Sequence, residues 1–192
     1  MGKIVSNILI TLLVLCFVSF KSIANAFHTN DGLKKTRNHT NDGLKKTDNL
    51  KETEVNFFTG MFDFSDHKQS SGLLGLQHQN EDLFRNSFLG KLSPITGGFF
   101  TEKSAVYLYT GVQAEYDFGF LTFTPSFAPG YYNYGNGKDL GYPLEFKSEV
   151  QLSFDLGENS HLGMSYNHIS NASLGTKNPG ANSYMLNFLK QF

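Results

Sequence analysis

The sequence predicts an all-β protein, an eight-stranded antiparallel transmembrane β-barrel of the outer membrane. Its composition is rich in Phe (19), Tyr (9) and Gly (19), contains no Trp, and only 17% of residues are charged. After residue 54, apolar and polar residues alternate in segments of about ten residues or more, the length that a tilted membrane-spanning strand requires. The connections between these segments alternate between short and long, as they do in barrels with short periplasmic turns and longer external loops.

Residues 1–26 have the three regions of a secretory signal peptide. Lys3 precedes an apolar run over 8–20, and residues 24–26 (Ala-Asn-Ala) form an A-x-A cleavage site. The apolar run covers about a dozen residues, whereas a spanning helix needs ~20. We therefore expect cleavage near Ala26 rather than an uncleaved anchor. The single cysteine, Cys16, lies in this leader, so the mature chain should form no disulfide.

Residues 27–53 contain a tandem repeat. The segment HTNDGLKKTRN at 28–38 recurs almost unchanged as HTNDGLKKTDN at 39–49. Two polar units of this size cannot bury an apolar core, so we predict a disordered linker that leads into the barrel domain at 54–192. The histidines that begin the two copies form only a weak metal-binding motif, and we predict no metal site.

The predicted strands are clearest at 143–155, where two kinds of side chain alternate without interruption. Every second residue from Leu144 to Phe154 faces one side, which is mostly apolar, and Glu145, Lys147 and Glu149 face the other. We expect the apolar side to face lipid and the polar side to form a network that fills a narrow lumen. The eight predicted strands cover 54–64, 71–80, 88–98, 103–116, 118–127, 143–155, 160–170 and 182–192.

The connections orient the predicted barrel in its membrane. Those at Asp117 and at 157–159 are short, whereas 128–143 and 171–181 are long. With both chain ends on the periplasmic side, the 171–181 connection lies outside the cell. The chain also ends on an aromatic, Phe192, at the tip of an alternating strand, which resembles the C-terminal signature of outer-membrane proteins. A secreted soluble barrel with its apolar side inward is the alternative fold.

The last predicted strand pair carries three polar residues on its apolar side. His168 and Ser170 share a side in the seventh strand, and Asn182 shares a side with Leu186 and Phe188 in the eighth. Residues two apart on a strand are roughly 7 Å apart at Cα, close enough for an imidazole to reach a hydroxyl. A base, a nucleophile and an orienting group on a lipid-facing wall predict an enzyme with a lipid substrate. The net charge of −1 and the lack of a basic face argue against nucleic acid as a partner.

The segment HISNASLGTKNPGANSY at 168–184 resembles the lipid A 3-O-deacylase (acyloxyacyl hydrolase-like) family. The resemblance extends over roughly 54–192, and its most specific part is His-x-Ser-Asn followed by Asn-Pro-Gly. It implies an eight-stranded outer-membrane barrel that hydrolyses the acyl ester at position 3 of lipid A, within lipopolysaccharide, without a cofactor. It further implies that His168 is the base, that Ser170 is the nucleophile and that Asn171 is associated with the oxyanion hole.

One position departs from the family pattern. The family has a Glu fourteen residues after the base, where this chain has Asn182. No Asp or Glu follows Glu158 in the sequence, so we expect no carboxylate at the site. An Asn can orient an imidazole through its amide oxygen, but it cannot stabilise the imidazolium by charge. Two functions therefore stay open: a deacylase with a Ser-His-Asn site, and a catalytically impaired or inactive barrel of the same fold with a structural or lipid-binding role in the outer membrane. The oligomeric state is left open.

Overall fold

The structure, a computed structural model, describes residues 53–66, 68–80, 85–87 and 90–192. The expected signal peptide at 1–26 and nearly all of the expected linker at 27–53 lie outside these residues. Within the described ranges, no helix is long and apolar enough to cross a membrane. The described strands are β1 (Thr53–Phe62), β2 (Ser71–Asn80), β3 (Arg85–Ser87), β4 (Gly90–Thr101), β5 (Val106–Ala114), β6 (Tyr116–Asp117), β7 (Leu121–Asn133), β8 (Leu144–Gly157), β9 (Ser160–Ser170) and β10 (Ala181–Gln191).

The strands form one closed antiparallel barrel. β1 pairs with both β2 and β10, β2 also pairs with β4, and β4, β5, β7, β8, β9 and β10 then follow one another around the sheet. The short strands β3 and β6 pair only with β4 and β7 respectively, and they extend the positions of β2 and β5 in the sheet. Eight full strands remain, which confirms the eight-stranded barrel predicted from the sequence.

Side chains along the strands alternate between the lumen and the outer wall. In β8, Glu145 and Lys147 are buried, whereas Leu152 and Phe154 are 45% and 50% exposed. The same alternation in the other strands produces an outer wall of exposed, large apolar side chains. A barrel in lipid has this arrangement, and a soluble barrel has the reverse. The most exposed members on the strands include Leu74, Phe100, Leu108, Met164 and Leu186.

The lumen is filled by side chains. Towards one end it is aromatic, with the rings of Phe62 and Phe99 centred 5.7 Å apart and Phe62 stacked on Tyr132 at 6.0 Å. Towards the other end it is polar, and the Asn56 amide nitrogen donates hydrogen bonds to Gln151 and to Asn187 at 3.2 and 3.1 Å. Buried polar groups paired in this way avoid the cost of desolvation without a partner.

The three charged residues predicted for the lumen all lie there, on β8. Lys147 and Glu149 form a buried ion pair at 3.3 Å, and the Lys147 ammonium also lies 4.0 Å above the ring of Tyr109. Glu145 is fully buried, and neither of its carboxylate oxygens has a hydrogen-bond partner among the described residues. The middle of the barrel is therefore a packed interior.

The structure moves several predicted strand limits. The largest change is in the fifth predicted strand, 118–127, because β7 runs on to Asn133 and the following loop shortens from 128–143 to 134–143. The prediction ended the strand before Pro129, which lacks a backbone N–H. In the structure this proline faces Phe146 of β8 but has no ladder partner in β5, and pairing with β5 resumes at Gly130.

The described connections lie at the two ends of the barrel. Because successive strands run in opposite directions, 63–70, 102–105, 134–143 and 171–180 lie at one end, and the turns at 118–120 and 158–159 lie at the other. The end of β9 and the start of β10 therefore lie at the rim that carries 134–143 and 171–180.

Candidate active site

The candidate site lies on the outer wall where β9 ends and β10 begins. These strands are antiparallel neighbours, and the Cα of His168 is paired directly with that of Asn182. Asn167 and Ile169 are buried towards the lumen, so His168 and Ser170, at the alternate positions, lie on the outer face. His168, Ser170 and Asn182 are each partly buried. These three side chains share the outer face because the two-residue alternation is uninterrupted in both strands.

A hydrogen bond joins His168 to Asn182. His168 Nδ1 lies 2.8 Å from Asn182 Oδ1, and the Tyr166 hydroxyl donates to the same oxygen at 2.9 Å. An amide oxygen only accepts hydrogen bonds, so Nδ1 carries the proton and the neutral ring has its lone pair on Nε2. This is the tautomer in which Nε2 can act as a general base.

Ser170 is on the same face as His168 but is not hydrogen-bonded to it. Its Cα is paired with that of Phe146 in the neighbouring strand β8. Among the described residues, no hydrogen bond joins Ser170 Oγ to His168. The His168 ring is hydrogen-bonded to Asn182 instead. Catalytic hydrogen bonds are often long before substrate binds and shorten in the complex, so this geometry is compatible with a nucleophile–base pair at rest.

The other side of the Asn182 amide is held by the connection between β1 and β2. The amide nitrogen donates to Ser65 Oγ at 3.3 Å, and the Ser65 hydroxyl donates to Asp63 Oδ1 at 3.5 Å. The Asp63 side chain is fully buried and forms an ion pair with Lys138 Nζ at 2.7 Å. A hydrogen-bonded series therefore runs from His168 to a carboxylate on a distant part of the chain.

Gly180 lies against the imidazole of His168. It is buried and has a φ of +65°, and a Cβ added to it would lie 2.8 Å from His168 Cε1 and 3.3 Å from Nε2. Any other residue would be strained in this backbone conformation and would also push the ring. The Asn-Pro-Gly segment thus has a role beyond forming a turn, because its glycine leaves room for the imidazole.

Asn171 ties the connections 134–143 and 171–180 together. Its side-chain nitrogen donates to the backbone oxygens of Leu140 and Lys177 at 2.8 and 2.9 Å, and its Oδ1 accepts from the Ser173 N–H. Its backbone N–H donates to Asn178 Oδ1 at 3.1 Å. The side chain is fully buried, and both of its N–H groups are used. In this conformation it offers no free donor to an oxyanion, and it has a structural role that the sequence did not indicate.

The same two loops are joined by a surface ion pair. Lys177 Nζ lies 2.7 Å from Asp139 Oδ2, and the hydrogen bond from Lys177 holds the pKa of the Asp139 carboxyl below its usual range. Both side chains are about half exposed, so the pair adds little to stability by itself. It reinforces the connection that Asn171 makes between 134–143 and 171–180.

Comparison with known proteins decides the family of this chain. A family model described as lipid A 3-O-deacylase (PagL) matches residues 54–190. The chain belongs to this family. Family membership and the closed barrel place this member of the lipid A 3-O-deacylase family in the outer membrane of a Gram-negative cell.

A solved structure of a barrel enzyme has the same fold, and two further solved barrels are less similar. The crystal structure of the outer membrane enzyme PagL is 19% identical, covers 71% of this chain and 98% of its own, and has a TM-score of 0.57. A de novo designed transmembrane β-barrel is 11% identical, with 73% and 95% covered and a TM-score of 0.49. The outer membrane protein Ail of Yersinia pestis is 11% identical, with 74% and 100% covered and a TM-score of 0.46. No curated protein matches the sequence.

For this deacylase-family chain, sequence reasoning missed the residues that reach the site from the connection between β1 and β2. The prediction placed Asp63 in the first strand and expected no carboxylate at the site. In the structure β1 ends at Phe62 and Asp63 turns the chain with a φ of +50°. Asp63 does not contact His168 directly, but it reaches Asn182 through Ser65. The Asp-x-Ser pattern after an alternating strand is turn chemistry and could have indicated the turn, although not its neighbour.

Proposed function

We propose that this member of the lipid A 3-O-deacylase family hydrolyses the 3-linked acyl ester of lipid A through Ser170, His168 and Asn182. His168 Nε2 accepts the Ser170 hydroxyl proton as Oγ attacks the acyl carbonyl, and it returns this proton to the sugar oxygen as the ester bond breaks. Water then cleaves the acyl–Ser170 ester with His168 again as base. The 2.8 Å hydrogen bond from His168 to Asn182 is the observation that carries this proposal.

The neutral Asn182 weakens this site but keeps its tautomer. In a serine protease, replacing the acid by its amide costs ~10⁴ in kcat because the histidine adopts the wrong tautomer. Here the amide oxygen faces His168 Nδ1, so the required proton is on Nδ1. What is lost is the stabilisation of the imidazolium by a negative charge. A smaller loss than in the protease is therefore expected.

The oxyanion donor is proposed to be the backbone of Asn171, which follows Ser170 directly. Its N–H now donates to Asn178 Oδ1 at 3.1 Å. Exchange of this amide acceptor for the oxygen of the tetrahedral intermediate would supply a charge-assisted hydrogen bond. The Asn171 side chain meanwhile holds the loops through Leu140 and Lys177.

The surroundings of the site favour a lipid substrate. Met164 and Leu186 are 67% and 51% exposed on the wall below the site, and Tyr166 and Tyr184 are 43% and 47% exposed beside it. An acyl chain lying along this wall would bury apolar surface while its ester group reaches the rim. A substrate in the outer leaflet of the membrane meets these conditions, as lipid A does.

A non-catalytic lipid-binding barrel is the second candidate function. It is favoured by the absence of the family's Glu at position 182 and of a hydrogen bond between His168 and Ser170 Oγ within the described residues. Such a protein would keep the apolar outer wall and release no fatty acid.

Mass spectrometry of lipid A separates the two functions. Lipid A from cells that express the protein is compared with lipid A from cells that express Ser170→Ala at the same level. Loss of one hydroxyacyl chain with the parent protein alone supports the deacylase. Unchanged lipid A with both proteins, each folded in the outer membrane, supports the lipid-binding barrel. Loss that survives Ser170→Ala contradicts the assignment of the nucleophile.

A further inference from the structure

We infer that Asp63 and Ser65, in the connection between β1 and β2, are positioning residues that set the proton on His168 Nδ1. The inference rests on the proposed function and explains how the site works with Asn182 in place of an acid. It starts from the series of hydrogen bonds between His168, Asn182, Ser65 and Asp63.

The direction of this series depends on its far end. The groups between its two ends can each reverse: an amide can turn its nitrogen towards the histidine, and a hydroxyl can donate or accept. The Tyr166 hydroxyl, which donates to Asn182 Oδ1, could equally accept from a reversed amide and so does not select an orientation. An orientation is selected only by a group that cannot donate.

The Asp63 carboxylate is such a group. It is fully buried, its Oδ2 is paired with the Lys138 ammonium at 2.7 Å, and its Oδ1 lies 3.5 Å from Ser65 Oγ. An ionised carboxylate only accepts, so the Ser65 proton points to Asp63 and the Ser65 lone pairs face Asn182. The Asn182 nitrogen must then donate to Ser65, and its oxygen must face His168.

The chemical consequence is a defined base. With the Asn182 oxygen facing Nδ1, the imidazole proton lies on Nδ1 and Nε2 can accept the proton of Ser170. In the family's usual pattern an acid contacts the histidine and imposes this tautomer directly. In this chain the acceptor-only group is two residues further away in the series, behind an amide and a hydroxyl.

A purely structural role for the same connection predicts something different. The backbone N–H of Phe64 donates to the backbone carbonyl oxygen of Asn182 at 3.0 Å, and the Phe64 ring packs on Tyr184 at 5.3 Å and on Tyr166 at 6.3 Å. These contacts hold the connection against β10 without the Ser65 hydroxyl. Removing that hydroxyl alone would therefore leave a structural role intact.

The first test measures the tautomer of His168 directly, without hydrolysis. The ¹⁵N shifts of the His168 ring are recorded on ¹⁵N-histidine-labelled, folded protein in detergent micelles, with assignment from a His168→Asn sample. We expect a proton on Nδ1 in the parent and a mixture of tautomers in Ser65→Ala. Ser70→Ala, in the same connection, is the control and should match the parent, because no side-chain hydrogen bond of Ser70 is among the described contacts. An unchanged His168 tautomer in Ser65→Ala overturns the inference.

The second test measures turnover on purified lipid A. Ser65→Ala should lower kcat by up to about ten-fold, the effect of one hydrogen bond, with KM unchanged. Ser65→Thr, which retains the hydroxyl, should restore kcat. In an Asn182→Asp background, where either carboxylate oxygen can accept from Nδ1, Ser65→Ala should have little further effect. An equal loss of kcat on Ser65→Ala in both backgrounds contradicts the positioning role of Asp63 and Ser65.

The two tests also separate this inference from the proposed function. If Ser65→Ala changes the His168 tautomer but the parent protein releases no acyl chain, the positioning role of Asp63 and Ser65 is supported and the deacylase is contradicted. If the parent protein deacylates lipid A but the His168 tautomer is unchanged in Ser65→Ala, the deacylase is supported and the positioning role of Asp63 and Ser65 is contradicted.

Discussion

Asn182 makes the group beside His168 a neutral one. Its oxygen accepts from His168 Nδ1 and from the Tyr166 hydroxyl, and its nitrogen donates to Ser65. All three contacts are those of a neutral hydrogen-bonding group. A charged acceptor in the same place would form stronger hydrogen bonds and stabilise the imidazolium.

Asn182→Glu should therefore raise the deacylation rate by roughly ten-fold, since a charge-assisted hydrogen bond is about twice as strong as a neutral one. Asn182→Gln is the matched control, because it adds the same methylene without the charge and should not raise the rate. The measurement is initial rate on lipid A in detergent micelles. A lower rate for Asn182→Glu than for Asn182→Gln would show that the added charge is not tolerated beside lipid.

Gly180→Ala should lower kcat because the new methyl group would lie 2.8 Å from His168 Cε1 and push the ring, whose Nδ1 is hydrogen-bonded to Asn182. We expect a loss of about ten-fold to a hundred-fold, the scale of a misplaced catalytic group. Gly175→Ala is a control in the same loop that lies against Gly141 and Tyr142 instead of the histidine. Equal losses in both variants would assign the effect to the loop rather than to the imidazole.

At the scale of elements, Asn171 joins the connections 134–143 and 171–180 into one unit. Its side-chain nitrogen satisfies the carbonyls of Leu140 and Lys177, and Leu140 is itself 1% exposed. Because Asn171 directly follows β9, its contact with Leu140 holds the end of β9 against 134–143. The geometry next to Ser170 therefore depends on a segment that is distant in sequence.

Asn171→Ala should destabilise the connections 134–143 and 171–180 by about 1–3 kcal/mol, the cost of leaving buried polar groups without partners. Limited proteolysis within 172–178 should become faster, while the barrel itself remains folded. Ser173→Ala is the control, because only the backbone N–H of Ser173 contacts Asn171. Unchanged proteolysis of Asn171→Ala would mean that the ion pair between Asp139 and Lys177 is sufficient to join the loops.

At the scale of the whole molecule, barrel closure brings the two ends of the described chain together. β1 pairs with β10, and the backbones of Thr53 and Phe192 exchange hydrogen bonds of 3.3 and 2.9 Å. The pairing of β2 with β4 continues the sheet on the other side of β1. The described barrel is therefore closed by the pairing of β10 with β1, which begins at Thr53.

Deletion of residues 27–50, which removes both copies of the repeat, should leave insertion and folding intact. The reason is that closure of the barrel uses pairings from Thr53 onward. The measurement is heat-modifiable migration on a gel, with the full-length protein as control. Absence of the fast-migrating folded band after deletion would mean that the linker contributes to assembly.

Much of the fold could be predicted because strand periodicity is local. The alternation from Leu144 to Phe154 identifies an outward face and a polar lumen without knowledge of the partner strands. Strand ends were harder to predict, since Pro129 reads as a strand breaker and only its place between β5 and β8 shows that the strand continues. The outer-face positions of His168, Ser170 and Asn182 follow from the same local period.

What the sequence by itself determined was therefore the eight-stranded barrel, its family and the face that carries the His-x-Ser-Asn motif. The tertiary structure alone decided which groups meet Asn182, because Ser65 lies 117 residues away along the chain and comes into contact through the pairing of β1 with β10. It also gave Asn171 its partners in the neighbouring loop. Local patterns encode which way a side chain points, whereas its neighbours depend on how the sheet closes.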